Sequence, residues 1–235
     1  MKAIILAGGY GTRISEETDT KPKPMVLLDN KPIIWHLMNS FSTQGVNEFI
    51  IAAGSLGNVI IDYMANLKTE WEIKVLDTGL NTLTGGRIKQ CIESDDSERF
   101  FVTYGDGLGN VNLNQLLKHH ESMGKIATVT SVRPPARFGV LEKSNGLVTH
   151  FGEKRQSDVG WINGGYFVLE RNIADAISGD DASFEMDVMP KLASEASLAA
   201  FEHEGFWQPM DTLRERNLLA DLAIMSPPPW LLSKK

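Results

Sequence analysis

The sequence predicts an α/β fold, a three-layer doubly wound and mainly parallel sheet with an antiparallel extension. Three observations lead there. The apolar stretch Ala3-Ile4-Ile5-Leu6-Ala7 runs directly into a glycine-dense turn. Strand-like and helix-like segments then alternate as far as Tyr104. Between Ile126 and Leu169, by contrast, strand-like segments follow one another with only turns between them.

After the glycine turn, Pro32 opens a segment in which Ile33, Ile34, Leu37, Met38 and Phe41 recur at helical spacing, and Gly45 closes it. The continuous apolar run from Glu48 to Ala53 reads as a buried strand. Gly57 to Leu67 follows as a helix, Glu72 to Asp77 as a strand, Arg87 to Glu93 as a helix and Phe100 to Tyr104 as a strand. This alternation builds parallel strands joined by right-handed crossovers, with the site in loops at the strands' carboxyl ends. Ile126 to Val132, Gly139 to Glu142, Leu147 to Phe151 and Trp161 to Leu169 supply the extension, with Ser144-Asn145-Gly146 as a hairpin turn. Helices resume at Asn172 to Ile177, Phe184 to Ser194 and Asp211 to Met225. Residues 1–225 are expected to form a single domain. In residues 226–235, Pro227-Pro228-Pro229 stiffens an extended tail that either docks on a neighbouring subunit or stays disordered.

Composition narrows the partners. A chain of 235 residues with 42% apolar content can bury a full core. A net charge of −7, a pI near 5.3 and no Lys/Arg run argue against nucleic acid and anionic membranes as partners, so a polyanion has to be met by a local cluster. No apolar run is long enough to span a membrane, and the first one stops within a few residues at glycines. The single cysteine, Cys91, lies in a helix-like segment, reads as a packed thiol and excludes an intrachain disulfide. These features suit a cytoplasmic protein. His36, His119, His120, His150 and His203 are scattered without metal-ligand spacing.

The turn after the first strand carries the chemistry. Gly8-Gly9-Tyr10-Gly11-Thr12-Arg13, followed by Lys21-Pro22-Lys23-Pro24-Met25, combines backbone that can approach a ligand closely with cations that neutralise phosphate. The dinucleotide fingerprint fails there, because Ile14 stands where a third Gly or Ala is required. No Gly is followed directly by Lys and Ser/Thr, so a Walker-type loop is excluded as well. A purely structural turn remains the alternative. Phosphates bring Mg²⁺, which takes one or two protein carboxylates. Asp106, in Tyr104-Gly105-Asp106-Gly107 at the end of a core strand, and Asp211, in Phe206-Trp207-Gln208-Pro209-Met210-Asp211-Thr212, are the candidates. The competing readings are an ordinary turn residue for Asp106 and a helix N-cap for Asp211.

The block from Leu6 to Arg13 with Lys23 resembles the signature of the sugar-phosphate nucleotidyltransferases. Together with Lys21-Pro22-Lys23-Pro24-Met25-Val26, Thr84-Gly85-Gly86-Arg87, Thr103-Tyr104-Gly105-Asp106-Gly107, Asn163-Gly164-Gly165 and the Phe206–Thr212 block, it is similar to the branch that transfers a cytidylyl group from CTP to glucose 1-phosphate. The resemblance spans nearly the whole chain and implies the nucleotide-diphospho-sugar transferase type of fold. By the same resemblance Leu6, Ala7, Gly8, Gly9, Tyr10, Gly11, Thr12 and Arg13 wrap the triphosphate, with Arg13 and Lys23 on its phosphates. Thr82, Arg87 and Gly105 contact the nucleotide, Asp106 and Asp211 hold Mg²⁺, and Arg13, Lys23 and Asp106 are the catalytic set. Glu153, Lys154, Asn163, Gly164 and Gly165 hold the sugar phosphate, and the enzyme is a homo-oligomer. Two departures from the branch stand out: Arg155 replaces the usual proline after Glu-Lys, and the connection from Ala65 to Lys74 is short. Transfer to a different base or sugar, and a non-catalytic sugar-nucleotide-binding protein, are the alternatives.

Overall fold

The computed structural model describes residues 1–11, 15–134, 139–153 and 160–232. Its strands are β1 (Lys2–Ala7), β2 (Leu27–Leu28), β3 (Lys31–Pro32), β4 (Glu48–Ala53), β5 (Glu72–Asp77), β6 (Arg99–Tyr104), β7 (Gly107–Gly109), β8 (Ala127–Val132), β9 (Gly139–Ser144), β10 (Leu147–Glu153), β11 (Ile162–Glu170), β12 (Leu198–His203) and β13 (Trp207–Pro209). The α-helices are α1 (Ser15–Thr18), α2 (Ile33–Ser42), α3 (Gly57–Asn66), α4 (Thr84–Glu93), α5 (Leu113–Met123), α6 (Met189–Ser194) and α7 (Leu213–Ala223).

Apolar strands buried on both faces belong in the middle of a parallel sheet, and β1, β4 and β6 are such strands. The main sheet has seven strands in the order β12-β8-β11-β6-β1-β4-β5. β1 pairs in parallel with β4 and β6, β4 with β5, and β12 with β8. Only β11 runs antiparallel, wedged between β6 and β8. One core cluster packs α2, α5 and α7 against one face, through Ile34, Phe41, Leu116 and Leu219. The other packs α4 and the segment from Ile173 to Leu192 against the opposite face. Helix, sheet and helix are the three expected layers.

The antiparallel part differs from expectation. β9 and β10 form a sheet of their own, turned by Asn145 and Gly146 at positive φ (51° and 83°), and do not join the main sheet. No strand is expected between Ser194 and Asp211, yet Leu198-Ala199-Ala200-Phe201-Glu202-His203 makes the parallel edge. The Phe184–Ser194 helix is split into a π-turn over Phe184–Val188 and α6, and 171–176 is a 3₁₀ turn. Cys91 is fully buried, and burial pushes its thiol up to about 12, as a packed thiol requires. Among the described residues no helix is long and apolar enough to cross a membrane.

The tail corrects a further expectation. Trp230 is completely buried against His36 and Phe206, and Ser40 Oγ donates to its carbonyl at 3.1 Å. Trp230 and Leu231 therefore join the chain's own core on the α2 side, where an extended, free tail was one expectation.

Candidate active site

β1 is an inner strand of the sheet, between β6 and β4, so its carboxyl end delivers Leu6, Ala7 and Gly8 to the cleft edge. The three glycines of the turn have different reasons to be glycine. A Cβ at Gly8 would stand 2.3 Å from the Arg87 guanidinium, and Gly11 has φ +67°. Gly9 has neither constraint: a Cβ there meets no described atom within 4 Å. A structural turn accounts for two of the glycines and leaves Gly9, next to exposed Tyr10, without a steric reason among the described residues. Tyr10 donates to Asn81 Oδ1 at 2.9 Å, fixing the turn against the loop that precedes α4.

Arg87 lies beneath this turn. Only 5% exposed, it donates to the carbonyls of Gly8 (3.2 Å), Ala53 (3.0 Å) and Leu80 (3.4 Å) and to Thr78 Oγ1. Burial lowers its pKa from the ordinary value, with Asp77 acting against the fall, yet a guanidinium stays charged at neutral pH. The side chain expected on the nucleotide is thus directed at the backbone that carries the glycine turn. Thr82 is half-buried between Gly79 and Gly86, whose Cβ positions it would crowd.

The two carboxylates meet because of a short pairing that bridges a hundred residues of chain. β7 continues from Asp106 and pairs antiparallel with β13, Pro209 opposite Gly107, and Met210 N–H donates to Asp106 O at 2.9 Å. Asp211 follows directly. It is not the N-cap of α7, because Thr212 takes that position in a full capping box with Glu215. The Asp211 side chain turns instead to Lys23, whose Nζ lies 2.6 Å from Asp106 Oδ2 and 2.7 Å from Asp211 Oδ1. Lys23 is 6% exposed in a 3₁₀ turn that Pro22 and Pro24 stiffen, and Gly105 leaves room for Pro24, 3.0 Å from where its Cβ would be. Two converging carboxylates, hard oxygen donors with no His or Cys beside them among the described residues, would suit Mg²⁺. Lys23 offsets one of their two negative charges here.

On the other side of the cleft, β11 carries Asn163, Gly164 and Gly165 across a break in register with β8. Gly165 has φ +77° and would place a Cβ 2.6 Å from the Tyr104 ring, while Gly164 O accepts from Trp207 Nε1 at 2.7 Å. Asn163 donates from Nδ2 to the Tyr104 hydroxyl (3.1 Å), which donates to Glu185 Oε1 (2.5 Å). Burial first and the Glu185 carboxylate second push the Tyr104 hydroxyl well above its usual value, so it stays protonated. Glu185 and the Tyr104 side chain escaped the sequence reading; a lone Glu inside a helix-like run gives no warning. Glu153 ends β10 without a described side chain, and Thr12, Arg13, Lys154 and Arg155 lie outside the described residues.

A mainly parallel sheet with a glycine turn after an inner strand, and two carboxylates that converge from the ends of β6 and β13, defines an α/β enzyme built to handle a nucleoside triphosphate. The chain belongs to the nucleotidyl transferase family, whose model matches residues 2–213. It is 43% identical to the glucose-1-phosphate cytidylyltransferase of Salmonella typhi over 98% of both chains. It is 40% identical to a probable glucose-1-phosphate cytidylyltransferase of Bacillus subtilis, over 93% of this chain and 94% of that one. Among solved structures, HddC from Yersinia pseudotuberculosis superposes with a TM-score of 0.74 at 25% identity, covering 94% of this chain and 98% of its own. UDP-glucose pyrophosphorylase shares the fold at a TM-score of 0.72 and 18% identity, covering 94% of this chain and 97% of its own.

Proposed function

We propose that this nucleotidyltransferase transfers a cytidylyl group from CTP to glucose 1-phosphate, releasing pyrophosphate and CDP-glucose. The observation that carries the reading is the convergence of Lys23, Asp106 and Asp211 beside the glycine turn. Its support is the 43% identity to a glucose-1-phosphate cytidylyltransferase across 98% of each chain.

A sugar 1-phosphate is largely dianionic at neutral pH, its second pKa being about 6. Its oxygen attacks the α-phosphorus of CTP without a general base. One P–O bond forms there as the bond to the β-phosphate oxygen breaks, and pyrophosphate leaves with the electron pair. The work left to the protein is to align two anions and offset their repulsion. The turn from Gly8 to Arg13 wraps the triphosphate, and Gly9 lets its backbone come close. Arg87 holds Gly8 from below. Asp106 and Asp211 hold Mg²⁺, while Lys23 and Arg13 face the phosphates. Bound there, the cation adds charge neutralisation on the phosphates and on the departing pyrophosphate. Glu153, Lys154 and Asn163 line the sugar-phosphate side, with Gly164 and Gly165 shaping its wall.

Pyrophosphate release measured with CTP, UTP, dTTP, GTP and ATP against a set of sugar 1-phosphates tests the reading. The highest kcat/KM is expected for CTP with glucose 1-phosphate, and a higher value for any other pair overturns it.

A further inference from the structure

We infer that Glu185 is a positioning residue that sets the direction of the Asn163 amide through the Tyr104 hydroxyl, and so tunes binding of the sugar phosphate. This deepens the proposed function and rests on its placement of Asn163 beside the sugar phosphate.

The hydrogen bonds form one polarised chain. A carboxylate only accepts, and Glu185 accepts from three hydroxyls: Tyr104 on Oε1, and Thr84 (2.5 Å) and Ser183 (3.2 Å) on Oε2. Thr84 is the first residue of α4 and itself accepts from Phe184 N–H at 2.9 Å, so Glu185 is anchored to the helix that carries Arg87. With its single hydrogen given to Glu185, the Tyr104 oxygen can only accept from Asn163. Asn163 Oδ1 in turn accepts from Gly165 N–H at 2.8 Å. A flipped amide would set oxygen against oxygen at Tyr104 and N–H against N–H at Gly165. One orientation therefore survives, and in it the second Nδ2 hydrogen is a donor of fixed direction, suited to a hydroxyl or phosphate oxygen.

The ring that transmits this direction cannot turn away. Tyr104 packs edge-on to Phe167 at 5.8 Å, Phe167 packs edge-on to Phe184 at 5.5 Å, and Gly165 leaves the Tyr104 ring its space. Glu185 itself sits in the π-turn Phe184–Val188, an irregularity that recurs at functional sites. The order of events is positional: Glu185 directs Tyr104, Tyr104 directs Asn163, and only Asn163 meets the substrate.

The test takes the nucleotide and sugar 1-phosphate that the wild-type enzyme uses best, and compares Asn163→Ala, Tyr104→Phe, Glu185→Ala and the Tyr104→Phe/Glu185→Ala double variant. Each is expected to raise KM for the sugar phosphate about 3- to 10-fold, the worth of one hydrogen bond. KM for the nucleotide and kcat are expected to stay within about twofold, and the double variant to be no worse than the worse single, as for links in series. If Asn163→Ala shifts the sugar KM while Tyr104→Phe and Glu185→Ala do not, the relay is overturned and the site reading stands. Equal shifts for both substrates also overturn it, because they mark general loosening. If Asn163→Ala leaves the sugar KM unchanged, or the wild type turns over no pair, the reading beneath the relay fails and the relay with it. Should Glu185→Ala fail to fold, Tyr104→Phe, which removes one oxygen, decides alone.

Discussion

Lys23 and Arg87 are both buried near the carboxyl end of β1, one against two carboxylates and the other among carbonyls and a hydroxyl. The Lys23 charge is cancelled where it stands, so its carboxylate partners can take another cation and Lys23 can turn to a phosphate. The Arg87 guanidinium hydrogen-bonds carbonyls and a hydroxyl, with Asp77 acting on it through charge alone, so it keeps much of its positive potential under the glycine turn and its geometry depends on the backbone around it. Burial alone therefore says little about a cation's work; the partners decide whether it is exchangeable or structural.

Four sets of variants can break or sharpen this contrast. The largest effect is expected for Asp106→Ala and Asp211→Ala, about 10²- to 10³-fold in turnover at saturating Mg²⁺, the usual loss when a group that stabilises transition-state charge is removed. Turnover at the wild-type rate in Asp106→Ala would show the metal assignment to be wrong. Next comes Lys23→Met, which is expected to lose about 10²-fold in turnover while its urea midpoint barely moves. Arg87→Met is the mirror case. Four acceptors lose one of their donors, although Ala53 O keeps Thr78 and Gly8 O keeps Ser55, so a stability loss of about 2 to 4 kcal/mol is expected in urea titration, and Arg87→Lys recovers little because one ammonium cannot span them. Wild-type stability with weakened CTP binding in Arg87→Met would place the guanidinium on the nucleotide instead. The smallest effects separate two adjacent glycines. Gly8→Ala drives a Cβ into the guanidinium and is expected to cost about 1 to 3 kcal/mol. Gly9→Ala is expected to change stability by less than about 0.5 kcal/mol yet raise KM for CTP.

Much of this site was legible in the residues, and the part that was not has a common cause. β1, β4 and β6 announce themselves because continuous apolar runs bounded by turns have few other uses, and Asn145-Gly146 marks its hairpin by the φ it requires. Lys23, Asp106 and Asp211 could each be nominated from local context. That they touch could not, because the contact depends on the β7–β13 pairing, and three-residue strands carry no periodicity. Arg87 illustrates the converse. Its position next to the cleft was visible, whereas its direction depends on carbonyls of β4 and of the glycine turn, which no spacing encodes. Glu185 was missed because its meaning lies wholly in Tyr104 and Asn163, remote in sequence.

Trp230 has a consequence for how the molecule is made. The residue whose indole closes the core beside His36 lies 190 positions after Ser40, with which it shares a hydrogen bond. At synthesis rates of about 5 to 20 residues per second, α2 waits roughly 10 to 40 s for the side chain that covers it. Until then the nascent chain presents an apolar notch, and a chain halted before that tryptophan forfeits about 3 to 5 kcal/mol of packing. Trp230 is thus the latch of α2, and in the cell a completed core is also a record that translation has passed residue 230.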